Sequence, residues 1–115
     1  MKNVVYARQS LLQYEESVRQ LVEKGYFSEE DYAVDYMRDI FRYFALNLQN
    51  AAVIKAPEYF DRYKVDGKEL FYVRYRKTAR TTWYAFFEEL DKVYSIVYLG
   101  NNSFIGHLLD INIQK

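Results

Sequence analysis

The sequence predicts an α+β domain: an N-terminal strand, an antiparallel helical hairpin, then a three-stranded antiparallel meander, with the helices on one face of the sheet. Two observations carry this reading. Apolar residues before Pro57, the only proline, recur at intervals of three and four, and after it they alternate. The segments between the later runs are too short for parallel crossovers, so those strands pair as hairpins. At 115 residues the chain is long enough for one hydrophobic core and too short for two, so residues 1–115 are read as a single domain.

Each element has its own signal. Residues 3 to 7 are a β-branched and aromatic run, a strand free to add at a sheet edge. Leu11, Tyr14, Val18, Leu21 and Val22 then form the stripe of an amphipathic helix, which Gly25 stops. Ser28 followed by Asp31 reads as a capping box, and Glu29 and Glu30 place negative charge on the first turn of a longer second helix. Its apolar face is Ala33, Tyr36, Met37, Ile40, Phe41, Phe44 and Leu48, and the short link between the helices makes an antiparallel hairpin. Pro57 ends the helical half, because it disfavours helix at Ala56 and cannot donate to a helical ladder. The strands are Leu70 to Arg76, Thr81 to Phe87 and Val93 to Leu99, the last two joined by a Glu-Glu-Leu-Asp-Lys turn. No internal repeat or low-complexity tract interrupts the chain, and Asn112 to Lys115 are expected to fray.

Composition narrows the chemistry. The absence of cysteine excludes thiol catalysis and Cys-ligated zinc. The one histidine, His107, cannot assemble a multi-histidine metal site, and any Ser-His-Asp triad would have to use it. No cofactor or metal is implied. The apolar start Val4-Val5-Tyr6 is broken by Arg8, Gln9 and Ser10, unlike a secretory signal, and no run approaches the ~20 apolar residues of a membrane span. The expectation is a cytoplasmic protein without a membrane partner.

The 16 basic and 16 acidic side chains cancel, but they are unevenly placed. Residues 62 to 80 hold seven bases, Arg62, Lys64, Lys68, Arg74, Arg76, Lys77 and Arg80, against Asp66 and Glu69, whereas residues 1 to 60 hold seven bases and nine acids. A basic stripe therefore survives inside a neutral total. In the strand Leu70 to Arg76, alternation gives Phe71, Val73 and Tyr75 to the helix face and Tyr72, Arg74 and Arg76 to the other, with Lys77 and Arg80 at the adjoining turn. Arginine forks fit phosphate oxygens and tyrosine rings stack on bases, so such a platform suits single-stranded RNA. The plainer reading of the same residues is a solvated face whose arginines pair with carboxylates such as Glu69 or Glu88.

Aromatic residues make up 19% of the chain, and most of their rings, Tyr36, Phe41, Phe44, Phe71, Tyr75, Phe86 and Phe87 among them, are expected in the core. Tyr72, Tyr84 and Tyr98 are the candidates for function, being on the sheet near the basic stripe. His107, in Gly106-His107-Leu108-Leu109, can serve as acid or base, or be an ordinary half-buried histidine. Gly100-Asn101-Asn102 reads as a turn whose amides can also bind a substrate.

Three strings recur in a familiar order after the strand and hairpin: Ala56-Pro57-Glu58-Tyr59-Phe60-Asp61-Arg62-Tyr63, Thr82-Trp83-Tyr84-Ala85-Phe86-Phe87, and Tyr98-Leu99-Gly100-Asn101-Asn102. In these strings and their spacing the chain resembles, over nearly its whole length, the RelE/ParE superfamily of type II toxin–antitoxin toxins. The resemblance implies a RelE/ParE-like sandwich and a microbial toxin held inactive by a cognate antitoxin. Two activities share that fold: ribosome-dependent, metal-independent mRNA cleavage, and non-enzymatic inhibition of DNA gyrase. A degenerate member that only binds its antitoxin is a third reading. For the nuclease, the resemblance implies catalytic roles for Arg74, Arg80, Tyr98 and His107. Arg62, Lys64, Tyr72, Arg76, Lys77, Tyr84, Asn101 and Asn102 then hold the RNA. The chain departs from this pattern at Ser103, where histidine usually follows Asn-Asn, and in its zero net charge.

Overall fold

The structure is a computed structural model that describes residues 2–113, with all side chains except those of Phe104, His107, Asp110 and residues 111–113. The elements in order are β1 (Asn3–Tyr6), α1 (Arg8–Glu23), α2 (Glu30–Asn47), β2 (Ile54–Lys55), β3 (Leu70–Arg76), β4 (Thr82–Glu89), β5 (Val93–Asn101) and α3 (Asn102–Ile113), with 3-10 turns at Leu48–Asn50 and Glu58–Tyr63. The fold is α+β. Its five-stranded mixed sheet has the order β1-β5-β4-β3-β2, with β1 parallel to β5 and the other pairs antiparallel. Among the described residues, no helix is long and apolar enough to cross a membrane.

The α+β class is as the periodicity predicts, but the layout differs in detail: β4 and β5 run past their expected ends, and β2 and α3 are added. The C-terminal end of α1 has a clear local cause. Gly25, at φ +80°, lets the chain reverse while its N–H bonds the Val22 carbonyl and that of Tyr26 bonds the Leu21 carbonyl, the paired closure of a glycine-terminated helix. The expected capping box does not form. Helix α2 begins one step later than Ser28 requires, with Glu29 at the N-cap and no side-chain cap bond, so Glu30 and Asp31 support its first turn through charge alone.

Two apolar layers sandwich the sheet. On one face Val18 of α1 and Ala33, Met37, Ile40, Phe41 and Phe44 of α2 pack on Val73, Trp83, Ala85, Phe87, Ile96 and Leu99. On the other, Phe60, Ile105 and Leu109 pack on Leu70, Tyr72, Phe86 and Val97. This second layer corrects the expectation that helices cover a single face. Pro57 does not simply end the helical half: it caps the 3-10 turn Glu58–Tyr63, which drives Phe60 onto Phe86 with ring centroids 4.3 Å apart.

Two further elements departed from the sequence reading. Strand β2 has two residues, too few to show alternation. Helix α3 starts where a turn was expected, because Asn101 caps it: its Oδ1 accepts the Ser103 N–H at 2.9 Å, and asparagine serves helix caps as readily as turns. Asn112 belongs to α3, and the expected fraying of residues 114 and 115 falls outside the described residues.

Strand β4 also runs through Glu88 and Glu89, where the sequence pattern predicts a turn. Glu88 is fully buried. Its carboxylate accepts backbone N–H groups of Val65, Asp66 and Lys68 at 2.9–3.1 Å, tying down the loop before β3. A buried carboxylate needs such donors to offset its lost hydration.

Candidate nucleic-acid interface

The second face of the sheet sets the positions of the candidate residues. Arg74 lies opposite Tyr84, and Arg76 opposite Thr82, in the β3–β4 register. Both arginines are exposed, and Tyr84 is half-buried beside them. The Arg76 guanidinium donates to the Ala79 carbonyl at 3.3 Å. Among the described residues, Arg74, Arg76 and Arg80 form no ion pair. The carboxylates offered as their partners are engaged elsewhere: Glu69 pairs with Lys55 at 3.0 Å, and Glu88 is buried under the loop at residues 65–68. Strand β2 pairs only with Tyr72 and Phe71, so among the described residues the edge of β3 away from β4 has no strand beside it from Val73 to Arg76.

Several predicted members sit differently. Tyr72 is 1% exposed, packed edge-on to Tyr84 and tilted against Phe86. It cannot stack on a base, because the 3-10 turn and α3 have closed the layer that alternation alone leaves open. Burial pushes its phenol above the ordinary value, with Arg74 opposing that shift. Lys77 turns to the helix face, where Nζ meets Asp39 at 2.6 Å and lies 5.2 Å from the Tyr36 ring, so it leaves the basic set. Arg62 stacks on Tyr59 at 3.9 Å and donates to the Tyr59 carbonyl. Lys64 pairs with Asp61 at 3.4 Å.

The two asparagines have structural tasks. Asn101 caps α3, and the Asn102 amide bridges the β3–β4 hairpin: Oδ1 accepts the Thr82 N–H at 3.2 Å and Nδ2 donates to the Arg80 carbonyl at 3.0 Å. Arg80 itself is exposed on that hairpin. The His107 backbone is part of α3, and its side chain lies outside the described residues.

Tyr98 reaches this face through a bulge. The register pairs Phe87 with Ile96 and Phe86 with Tyr98, leaving Val97 as the extra residue, so the alternation of β5 shifts phase. Tyr98 then stacks on Tyr63 with centroids 3.9 Å apart and an interplanar angle of 12°. Burial first, and Tyr63 second, push the Tyr98 phenol well above its ordinary value. It stays neutral through the physiological range and can donate a proton or a hydrogen bond. Strand β4 separates Tyr98 from Arg74, a gap of roughly 10 Å at the usual strand spacing. Tyr98 and Arg74 therefore do not converge on one point.

A cleft of about 250 Å³ lies at the helix-face end of the same hairpin, between α1, the α1–α2 turn and Trp83. Neither it nor the open edge of β3 was anticipated. The aromatic doublet Tyr26-Phe27 directly after Gly25 was the available signal for the cleft. Among the described residues, no three His, Asp or Glu side chains gather as a metal site. No family model, curated protein or solved structure matches this chain.

Proposed function

We propose that the protein is the toxin of a type II toxin–antitoxin pair, a RelE/ParE-like sandwich that cleaves mRNA on the ribosome. The observation that carries the reading is the pair of exposed arginines, Arg74 and Arg76, without a carboxylate partner among the described residues and beside the half-buried ring of Tyr84. Arginine forks aligned along a rigid strand suit consecutive phosphates, and a tyrosine beside them suits a base. The element order and the three sequence strings support the same assignment.

In this reading the ribose 2′-hydroxyl attacks the adjacent phosphorus, its proton passes to His107, and the P–O5′ bond breaks. The neutral Tyr98 phenol donates to the leaving 5′-oxygen. Arg74 or Arg80 meets the charge that builds on the phosphoryl oxygens, and Tyr84 takes the stacking role that buried Tyr72 cannot fill. With Tyr98 and Arg74 on strands separated by β4, the ribosome supplies the positioning. The cognate antitoxin lays an acidic extended segment along the open edge of β3, over Arg74 and Arg76.

Brief induction followed by mapping of RNA ends tests this. The expected result is breaks confined to translated mRNA, slowed by Arg74→Ala and by Tyr98→Phe, with free RNA left intact. Arrest with whole mRNA and double-strand DNA breaks replaces it with gyrase inhibition. Folded protein that arrests nothing replaces it with a degenerate member, in line with the departures at Ser103 and in net charge.

A further inference from the structure

We propose that the groove between α1 and α2 is a docking site for a basic amphipathic helix of another protein. This goes beyond the toxin reading and holds whether or not the protein cuts RNA. The groove is lined by α1 and the start of α2, and takes nothing from the strand that carries Arg74 and Arg76. Its volume, about 570 Å³, is that of a site able to seat several side chains.

Its floor is apolar and follows one helix. Tyr14, Val18 and Val22 stand at intervals of four along α1, and Val34 of α2 closes the groove from the other side. The Tyr14 hydroxyl donates to the Val34 carbonyl at 3.2 Å, which ties the two helices together at that point. From Tyr14 to Glu23 the α1 wall runs about 13 Å, roughly two and a half helical turns. A straight groove of that length between two helices suits a third, whose side chains at intervals of three and four insert between those of the hairpin.

The rim specifies the charge of that helix. Glu15 and Glu23 stand on the α1 wall and Glu30 on the α2 wall, and Arg19 is the one cation among the lining residues. Arg19 is taken by Glu16 and Glu23. Glu15 and Glu30 form no ion pair among the described residues. They therefore flank the apolar floor with uncompensated negative charge, one from each helix. A partner with lysine or arginine on either side of its apolar stripe meets both carboxylates, whereas an acidic one is repelled by them. The same charge disfavours a nucleic acid in this groove.

Three synthetic peptides of about 15 residues, long enough to be helical, test shape and charge separately against the full chain. The first carries leucines in one helical stripe and lysines elsewhere, the second has the same composition with the leucines scattered, and the third has glutamate in place of lysine. Methyl resonances of Val22 and Val34 report occupancy. The striped lysine peptide should shift them saturably and bind roughly tenfold or more tighter than either control. Glu15→Lys together with Glu30→Gln should weaken it by about tenfold, the glutamine avoiding a cation at the first turn of α2. Both positions are exposed, and near-ultraviolet circular dichroism checks the fold. Equal binding of the scattered peptide overturns the proposal, as do shifts unchanged by the substitutions or no saturable shift at all. Self-association of the free chain that the substitutions abolish gives the groove to a second copy and overturns it too. None of these readouts depends on mRNA cleavage, so the two proposals fail separately.

Discussion

The side-chain amide of Gln13 closes the edge of β5 by bonding both backbone groups of Leu99: Nε2 donates to the carbonyl and Oε1 accepts the N–H, each at 2.8 Å. Strand β1 ends at Tyr6 opposite Ile96, and the chain then turns into α1 while β5 continues to Asn101. Gln9 donates to the Val97 carbonyl at 2.9 Å, and Ser10 to that of Ile96 at 2.9 Å. One helix face thus supplies the bonds that a longer β1 would have made, and the edge of β5 is closed without another strand.

Gln13→Ala should therefore destabilise the protein by about 2 kcal/mol, the cost of two partly buried backbone groups left unpaired. Gln13→Glu keeps the acceptor but sets a carboxylate against the Leu99 carbonyl, so it should not restore stability. Denaturant midpoints measure both, and faster exchange of the Leu99 amide locates the effect. An unmoved midpoint would mean that water satisfies this edge.

Removing the buried carboxylate by Glu88→Ala leaves the N–H groups of Val65, Asp66 and Lys68 without an acceptor, and should cost about 3 kcal/mol or more. Glu88→Gln retains one oxygen and should fall between. Amide exchange at these three residues should quicken in the same order.

Gly100 is needed for close approach. A Cβ there would sit 2.7 Å from Ile105 Cδ1 and 3.3 Å from the Tyr98 ring. Gly100→Ala should lose about 1 kcal/mol by overpacking, and Ile105→Val, which removes Cδ1, should offset part of that loss in the double variant. A double-mutant cycle measures the coupling; additivity would show that α3 does not rest on β5 in this way.

Asp39 carries a pH dependence of known sign. Lys77 first and the Tyr75 hydroxyl second hold its carboxyl below the ordinary carboxylate range. The ionised form therefore favours the fold. Its contribution is present above the unfolded-state value of about 3.9 and is lost as pH falls through the lower folded-state value. Asp39 is 48% exposed, so screening limits the effect to about 0.5 kcal/mol. Thermal midpoints of Asp39→Asn should lie below those of the natural chain at pH 6 and converge with them near pH 2.

The sequence was most informative where periodicity runs long. The stripe from Ala33 to Phe44 names the buried face of α2, and the alternation Phe71, Val73, Tyr75 against Tyr72, Arg74, Arg76 assigns the two faces of β3. It was least informative where one residue serves two local purposes. Asn101 fits a turn or a helix cap, and only the following packing of Ile105 and Leu109 onto the sheet selects the cap. Lys77 reads as one more base in a stripe, although the alternation that gives Tyr75 to the helix face also gives Lys77 to it, where Asp39 of α2 takes its charge.

Local pattern alone determined the α+β class, the helical first half and stranded second half, and the side of β3 from which Arg74 and Arg76 project, since each follows from a repeat of 3.6 or of two within a short window. The tertiary structure decided what remains open on that side. The bulge at Val97 shifts Tyr98 onto the second face, the 3-10 turn and α3 bury Tyr72, and Glu88 turns inward to hold a loop more than twenty residues earlier in the chain. These outcomes depend on contacts between segments far apart in sequence, which compete for the same surface and the same backbone donors, and no window along the chain contains both competitors.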